Sequence, residues 1–181
     1  MKPNAHLLII RLSALGDVAM TIPVLRAFSA AYPNVRISFL SKPFLKPMFS
    51  ELPNIQFIAA DVKGEHRGIW GLFKLFFQLK AMNFDAVLDV HNVLRSIFLR
   101  NLFRCSFVKV ATIDKGRKEK RALTRPKNKI FRQLKSTHER YADVFRKLGY
   151  SFDLSHPVFP EKKNLTPNII KHTGEKETQW I

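Results

Sequence analysis

Residues 7–25 read LLIIRLSALGDVAMTIPVL, and this stretch decides the fold. Its first four residues form an uninterrupted apolar run, which is typical of a strand buried in a parallel sheet. A short loop over residues 11–17 follows, and residues 18–31 then place apolar side chains at helical spacing. Open α/β sheets bind their ligands at loops of this kind, beyond the carboxyl ends of the strands. The stretch therefore predicts a buried strand, a functional loop and a helix.

The same alternation continues along the chain. Further strands are predicted over residues 35–40, 55–59, 85–90 and 107–111, and further helices over residues 44–49, 69–82, 95–104 and 138–150. Strands that alternate with helices pair in parallel, because each helix carries the chain back to the starting edge of the sheet. We therefore predict an α/β fold with a doubly wound, mostly parallel sheet.

Size and composition indicate one core followed by a tail. The chain has 181 residues, of which 46% are hydrophobic, and residues 1–155 suffice for one domain. Residues 156–181 have the Pro-rich, Lys-rich composition of a linker. The single cysteine, Cys105, cannot form an internal disulfide, and no apolar run has the length of a membrane span or a secretory signal core. We expect a cytoplasmic protein.

The charge is high and unevenly distributed. Lys and Arg number 31 against 14 Asp and Glu, and residues 91–150 hold 17 basic and 4 acidic side chains. Such a surplus attracts anionic partners without deciding the fold, which leaves phosphorylated glycolipid, an anionic membrane surface and nucleic acid as candidates. Residues 115–135 have ten basic side chains and one acid, so we predict a partly helical excursion that is solvated or ordered by a ligand.

Asp17 is the candidate for chemistry in the first loop. An acid at the start of a helix commonly caps free backbone N–H groups, and position alone favours that interpretation. An acid beyond the carboxyl end of a strand can instead act as a general base on a bound ligand. The residues themselves leave both interpretations open.

The stretch from Ser13 to Pro23 resembles the N-terminal signature of glycosyltransferase family 9, which includes the ADP-heptose:lipopolysaccharide heptosyltransferases. The resemblance implies the Rossmann-like N-terminal half of a two-domain GT-B enzyme. Residues 1–155 would bind the acceptor, and residues 156–181 would be a linker and the start of a C-terminal domain that binds the nucleotide sugar. The implied reaction is an inverting transfer of a sugar from a nucleotide-diphosphate sugar to a lipopolysaccharide core or related glycolipid. The expected sugar is heptose, and the expected donor is ADP-heptose or another nucleotide sugar. The chain alone is expected to be inactive.

The resemblance implies that Asp17 is the catalytic base. A second stretch, residues 89–96 (DVHNVLRS), is similar to a family segment with an acid, a Gln or His and an Arg/Lys-Ser pair, and Asn92 stands where the family has glycine. A third stretch, residues 137–141, matches in its Glu-Arg-Tyr portion. The basic loop with Lys63, His66 and Arg67 lies on the expected ligand side. The candidate acceptor-binding residues are Arg11, Ser13, Gly16, Lys63, Arg67, His91, Arg95 and Arg140.

Several of these residues also have ordinary structural interpretations. Arg140 could pair with Glu139 or Asp143 on the surface, and His91 could be a partly buried, hydrogen-bonded histidine. The apolar helix over residues 69–82 is predicted to pack on the sheet, with an interfacial membrane helix as the alternative.

The sequence lacks the common motifs for binding dinucleotides and nucleoside triphosphates. No Gly-x-Gly-x-x-Gly follows the first predicted strand, and no Gly-Lys-Ser/Thr phosphate loop occurs. Asp85 and Asp89 lie four residues apart on a strand and do not form a compact metal pair. We therefore expect no metal and no cofactor besides the donor substrate.

The alternative functions are a basic nucleic-acid-binding module and a membrane-peripheral module without catalysis. Nucleic acid is disfavoured as a partner. The chain has no helix-turn-helix or zinc pattern, and the basic run lacks interleaved aromatic residues. The expected partners are an anionic glycolipid acceptor, a nucleotide-sugar donor bound by the second domain, and the inner face of the cytoplasmic membrane.

Overall fold

A computed structural model describes residues 4–52 and 54–155, so the expectation for residues 156–181 lies outside the described residues. Five parallel strands form one sheet, in the spatial order β3-β2-β1-β4-β5. The strands are β1 (His6–Ile10), β2 (Arg36–Ser41), β3 (Ile55–Ala59), β4 (Ala86–Asp89) and β5 (Lys109–Thr112). The prediction of a doubly wound parallel sheet is confirmed.

Helices cover both faces of this sheet. They are α1 (Leu15–Ala19), α2 (Ile22–Ala31), a 3-10 helix (Pro43–Phe49), α3 (Gly68–Lys80), α4 (Leu94–Cys105), α5 (Arg117–Thr124) and α6 (Thr137–Arg146). Because side chains alternate along a strand, Leu7 and Ile9 of β1 pack with α2 and α6, whereas Leu8 and Ile10 pack with α3 and α4. The sheet is therefore buried on both sides, as the apolar run at residues 7–10 predicts.

The strand order reverses at the centre of the sheet. β1 pairs with β2 on one side and with β4 on the other, so that Ile10 lies opposite both Leu40 and Asp89. The chain runs outward from β1 to β3 and then crosses back to β4. The loops after β1 and β4 lie at this reversal, at the carboxyl edge of the sheet, where open α/β folds have their ligand crevice.

The predicted helix over residues 18–31 is wrong in its bounds, because two helices form instead. α1 begins before Asp17, and the break lies at Met20 and Thr21, where the Thr21 hydroxyl donates to the Val18 carbonyl (2.6 Å). Pro23 lies in the first turn of α2, where its missing N–H costs no hydrogen bond. Asp17 is thus inside the first turn of α1, whose N-cap is Ala14 with no side-chain cap. The capping interpretation of Asp17 is wrong.

Most other bounds agree with the predictions to within two residues, and three differences have a local cause. The helix predicted over residues 44–49 is a 3-10 helix, because Pro47 inside it cannot donate an α-helical bond. β5 begins two residues late, since Phe107 adopts a φ of 61° in the turn that follows α4. α6 ends at Arg146, and Gly149 with a φ of 88° completes the turn beyond it.

The basic excursion and the apolar helix follow their predictions. α5 lies within residues 115–135 and buries none of its side chains. α3 buries Leu72, Leu75 and Leu79 against the sheet layer. None of the described helices has the length and hydropathy needed to cross a membrane.

Candidate functional site

Two loops meet at the reversal of the strand order, the one after β1 and the one after β4. The Arg11 guanidinium donates to the Val90 carbonyl (2.7 Å), and the backbone N–H of Leu12 donates to Nδ1 of His91 (3.4 Å). These bonds hold the two loops directly against each other. The sequence predicts this juxtaposition, because both loops follow the carboxyl ends of adjacent strands.

Arg11 is the buried centre of the crevice. Its side chain is 7% exposed, its guanidinium forms an ion pair with the Asp17 carboxylate, and it lies 5.8 Å from the centre of the Tyr141 ring. The Tyr141 hydroxyl donates to the backbone carbonyl of Asp17 (3.2 Å), which fixes α1 against α6. The Asp17 side chain is 51% exposed. The arrangement therefore presents an oriented carboxylate to whatever enters the crevice.

His91 interacts electrostatically with both members of the charged pair, Arg11 and Asp17. Burial, and then the guanidinium of Arg11, lower the pKa of His91 to about 4, so the ring is neutral at neutral pH. Because Nδ1 accepts from Leu12, the bonding pattern assigns the proton to Nε2, which lies 3.4 Å from the Ser13 hydroxyl. The site thus contains a neutral hydrogen-bonding pair, Ser13 and His91, beside a charged pair, Arg11 and Asp17.

Asp89 holds the loop after β4 in shape. Its buried carboxylate accepts from the backbone N–H groups of His91 (3.0 Å) and Asn92 (2.7 Å) and pairs with Arg100 (2.8 Å). Asn92 adopts a φ of 49°, a left-handed conformation that glycine adopts freely and asparagine more readily than other residues. The substitution of asparagine for the family's glycine is therefore compatible with the backbone of this loop.

Lys115 is a residue that the sequence analysis missed. It follows β5, the neighbour of β4, and its Nζ donates to the Asn92 carbonyl (3.3 Å). Burial, and then the cations of Arg11 and Arg117, lower the pKa of Lys115. Lys115 thus joins Arg11 as a second cation in the electrostatic environment of Asp17. In the sequence, Lys115 could have been found by its position just beyond a predicted strand. It was missed because it is also the first residue of a long basic run.

Arg140 makes contacts that the sequence did not predict. It is buried, pairs with Glu119 (2.7 Å), and donates to the carbonyls of Lys135 (3.2 Å) and Asp114 (3.4 Å). The predicted surface pairs are wrong, because Glu139 and Asp143 both pair with Arg146. Gly116, with a φ of 61°, lies against this guanidinium, and a Cβ there would collide with it. Arg140 therefore joins the start of the basic excursion to α6.

The remaining candidates lie on the rim of the same edge. Lys63 and Arg67 are exposed in the loop after β3, two strands away from β1, and Arg95 is exposed in the first turn of α4. Gly16 is exposed with open space around it. The structure brings Arg11, Ser13, Asp17 and His91 together, and their roles stay predictions.

His66 differs from the rim residues because it is buried and hydrogen-bonded within the protein. It is buried, its Nδ1 accepts from the Asp61 N–H (3.1 Å), and its Nε2 lies 3.0 Å from the Gln78 amide oxygen. Within residues 4–52 and 54–155, no group of three or more His, Cys, Asp or Glu side chains is arranged to hold a metal ion.

No family model matches the chain. Over 93 residues the chain is 33% identical to the lipopolysaccharide core heptosyltransferase OpsX of Haemophilus influenzae, and the alignment covers 51% of this chain and 26% of OpsX. The structure also matches the crystal structure of a family 9 glycosyl transferase from Veillonella parvula, with a TM-score of 0.63 and 24% identity over 89% of this chain and 47% of that one. The chain is thus similar in sequence to a heptosyltransferase over about half of its length, and similar in fold to a solved family 9 enzyme.

A second solved structure extends the family 9 comparison. The Escherichia coli heptosyltransferase WaaC, solved with ADP-2-deoxy-2-fluoro heptose, matches with a TM-score of 0.59 and 20% identity, over 84% of this chain and 51% of WaaC. At these identities the structural matches establish the Rossmann-like α/β fold of the family 9 enzymes. The aligned part spans about half the length of the solved relatives and about a quarter of OpsX.

Proposed function

We propose that this chain supplies the acceptor-binding domain of an inverting glycosyltransferase of the heptosyltransferase type. One observation carries the proposal: Asp17 presents a half-exposed carboxylate, oriented by buried Arg11, at the crevice where the strand order reverses. The relatives support the reaction class, since OpsX is a lipopolysaccharide core heptosyltransferase and WaaC was solved with an ADP-heptose analogue.

The proposed step is a single displacement. The oxygen of an acceptor hydroxyl attacks the anomeric carbon of the donor sugar from the face opposite the diphosphate. The bond between that carbon and the diphosphate breaks, the nucleoside diphosphate leaves with the electron pair, and the hydroxyl proton passes to Asp17. Inversion at the anomeric carbon follows from this geometry. No cofactor beyond the donor is required by the scheme.

The charges around Asp17 suit an anionic acceptor. Arg11 pairs with the carboxylate and Lys115 interacts with it electrostatically, and Lys63, Arg67 and Arg95 add exposed cations along the same edge. A phosphate or sugar carboxylate on a glycolipid would be attracted to this edge and bound by planar guanidinium groups. Ser13 and neutral His91 supply hydrogen bonds to sugar hydroxyls. Arg140 is engaged by Glu119, which assigns it a supporting role.

The domain organisation is part of the proposal. Residues 1–155 bind the acceptor, and residues 156–181 lead into a second domain that binds a nucleotide sugar such as ADP-heptose. The enzyme works in the cytoplasm at the inner face of the cytoplasmic membrane, where a lipid-linked acceptor would be found. The relatives' additional length supports a second domain, because the aligned part covers only about half of the solved enzymes.

The test is Asp17→Asn in the two-domain protein that contains this chain. Transfer of heptose from ADP-heptose to a lipopolysaccharide core acceptor should fall by about 10²–10⁴-fold in kcat, because the variant keeps the shape and loses the base. Glu51→Gln is the control, since Glu51 pairs with Arg26 outside the crevice, and it should retain the wild-type rate. Binding of the acceptor to the 181-residue chain should survive Asp17→Asn. An unchanged kcat in Asp17→Asn contradicts the base assignment, and absence of acceptor binding to the wild-type chain contradicts the acceptor-domain assignment.

A further inference from the structure

A strongly basic surface projects from the sheet edge beyond β5, and we name residues 117–132 the basic arm. The arm contains α5 and the return segment after it, and α5 buries none of its side chains. Its one acid, Glu119, is shared by Arg132 (3.5 Å) and Arg140 (2.7 Å). The cations of the arm are Arg117, Lys118, Lys120, Arg121, Arg125, Lys127, Lys129 and Arg132. Among the described residues, the only ion pair that an arm cation forms is that of Arg132.

Two large apolar side chains lie exposed among these cations. Phe131 is 81% exposed and Ile130 is 50% exposed. The Ile130 N–H donates to the Ala122 carbonyl (3.0 Å), so the return segment is held against α5 and the two apolar side chains have a defined position. Lys129 and Arg132 flank them directly in the chain.

From this combination we propose that the basic arm docks on the anionic surface of a phospholipid bilayer. Its cations bind the headgroups, and Ile130 and Phe131 insert at the boundary between headgroups and acyl chains. Clustered lysines and arginines are attracted to anionic lipid, and exposed apolar side chains gain free energy when they leave water at this boundary. A purely electrostatic partner such as a nucleic-acid duplex would leave the two apolar side chains without a contact.

The outer face of α3 is the competing surface. Trp70 and Phe77 are exposed there, but Lys74 beside them is paired with Glu65 (2.9 Å). The basic arm has the larger surplus of positive charge, and charge complementarity to anionic lipid therefore favours the arm over α3.

The base of the arm is tied to the crevice. Gly116 connects it directly to Lys115, whose Nζ donates to the loop after β4, and Arg140 binds both Glu119 and the Asp114 carbonyl. Docking of the arm would bring the Asp17 edge of the sheet close to the bilayer. Presentation of a lipid-linked acceptor there rests on the proposed function, but docking itself does not.

The test is co-sedimentation of the 181-residue chain with vesicles, which needs no transferase activity. The chain should bind phosphatidylcholine vesicles that contain about 30% phosphatidylglycerol and bind pure phosphatidylcholine weakly, with binding that declines as salt rises. Ile130→Ser combined with Phe131→Ser should weaken partitioning by about tenfold or more, because the apolar contribution is lost. Lys127→Gln combined with Lys129→Gln should weaken it by about tenfold to thirtyfold.

Two variants serve as matched comparisons. Phe107→Ser removes an aromatic ring that is 98% exposed just before β5, at the end of that strand away from the arm, and it should leave binding unchanged. Trp70→Ser tests α3 in the same way and should also leave binding unchanged. Far-UV circular dichroism verifies that every variant is folded. Three results would overturn the proposal: wild-type binding by the Ile130 and Phe131 double variant, loss of binding in Trp70→Ser, or binding to a duplex oligonucleotide without binding to anionic vesicles.

Discussion

Lowering the pH from 7 to 5 should destabilise this domain through His91. The ring is buried between the loops after β1 and β4, and it is neutral in the folded state because burial and the Arg11 guanidinium lower its pKa to about 4. In the unfolded chain the same ring has the ordinary pKa of 6.5. Between these two values the unfolded chain binds more protons than the folded one, so the free energy of unfolding must decrease as pH falls.

The size of the effect follows from the two pKa values. The contribution of His91 is fully present above pH 6.5 and is lost progressively as pH falls towards 4. Linkage gives a loss of about 2 kcal/mol at pH 5 relative to pH 7, and about 3 kcal/mol at pH 4. Burial also lowers the pKa of His6, which adds a loss in the same direction. The test must therefore separate the two histidines.

Urea unfolding followed by circular dichroism at pH 7, 6 and 5 provides the measurement. We expect His91→Gln to remove most of the decrease in stability between pH 7 and pH 5, whereas His6→Gln removes less. Proton NMR supplies a direct check, since the ring protons of His91 should show no titration until the pH falls below about 5. A His91 ring that titrates near 6.5, or a His91→Gln variant with the same pH slope as the wild type, would refute the reasoning.

Three further predictions concern stability and are measured by urea unfolding. Asp89→Asn and Arg100→Gln should each lower the free energy of unfolding by about 3 kcal/mol, because each single change leaves a buried partner uncompensated. The double variant should lose about the same amount, and additive losses would contradict this coupling. Gly116→Ala should cost about 1–3 kcal/mol, since it combines a φ of 61° with a collision against Arg140. Gly16→Ala, in open space, is its control and should cost less. Phe28→Ala should cost about 3–5 kcal/mol because Phe28 is fully buried, and a loss below 1 kcal/mol would contradict the packing.

The sheet could be predicted from the sequence because its signal is local. The run at residues 7–10 is apolar at every position, which is the pattern of a strand buried on both faces. The break between α1 and α2 could not be predicted from apolar periodicity. At the break the Thr21 hydroxyl donates to the Val18 carbonyl, and the spacing of apolar residues continues through it undisturbed.

Part of the candidate site could likewise be predicted from the sequence, and part could not. The neighbourhood of Arg11, Asp17 and His91 follows from a topological rule, since the loops beyond adjacent parallel strands meet at one edge. The partner of Arg140 does not follow from any such rule. Glu119 lies 21 residues earlier, within a run of cations that could each have taken it, and only the folded chain selects Arg140 and Arg132. Lys115 was missed because the same run hid it.

Deep and shallow residues of the crevice face different constraints during evolution. Arg11, Asp89 and His91 are buried and hold loops together, so substitutions there disturb the fold along with any function. Lys63, Arg67 and Arg95 are exposed on the rim, where substitutions usually change stability little. Under the proposed function, changes at the rim alone would alter which anionic groups are recognised, while the deeper residues preserve a common framework.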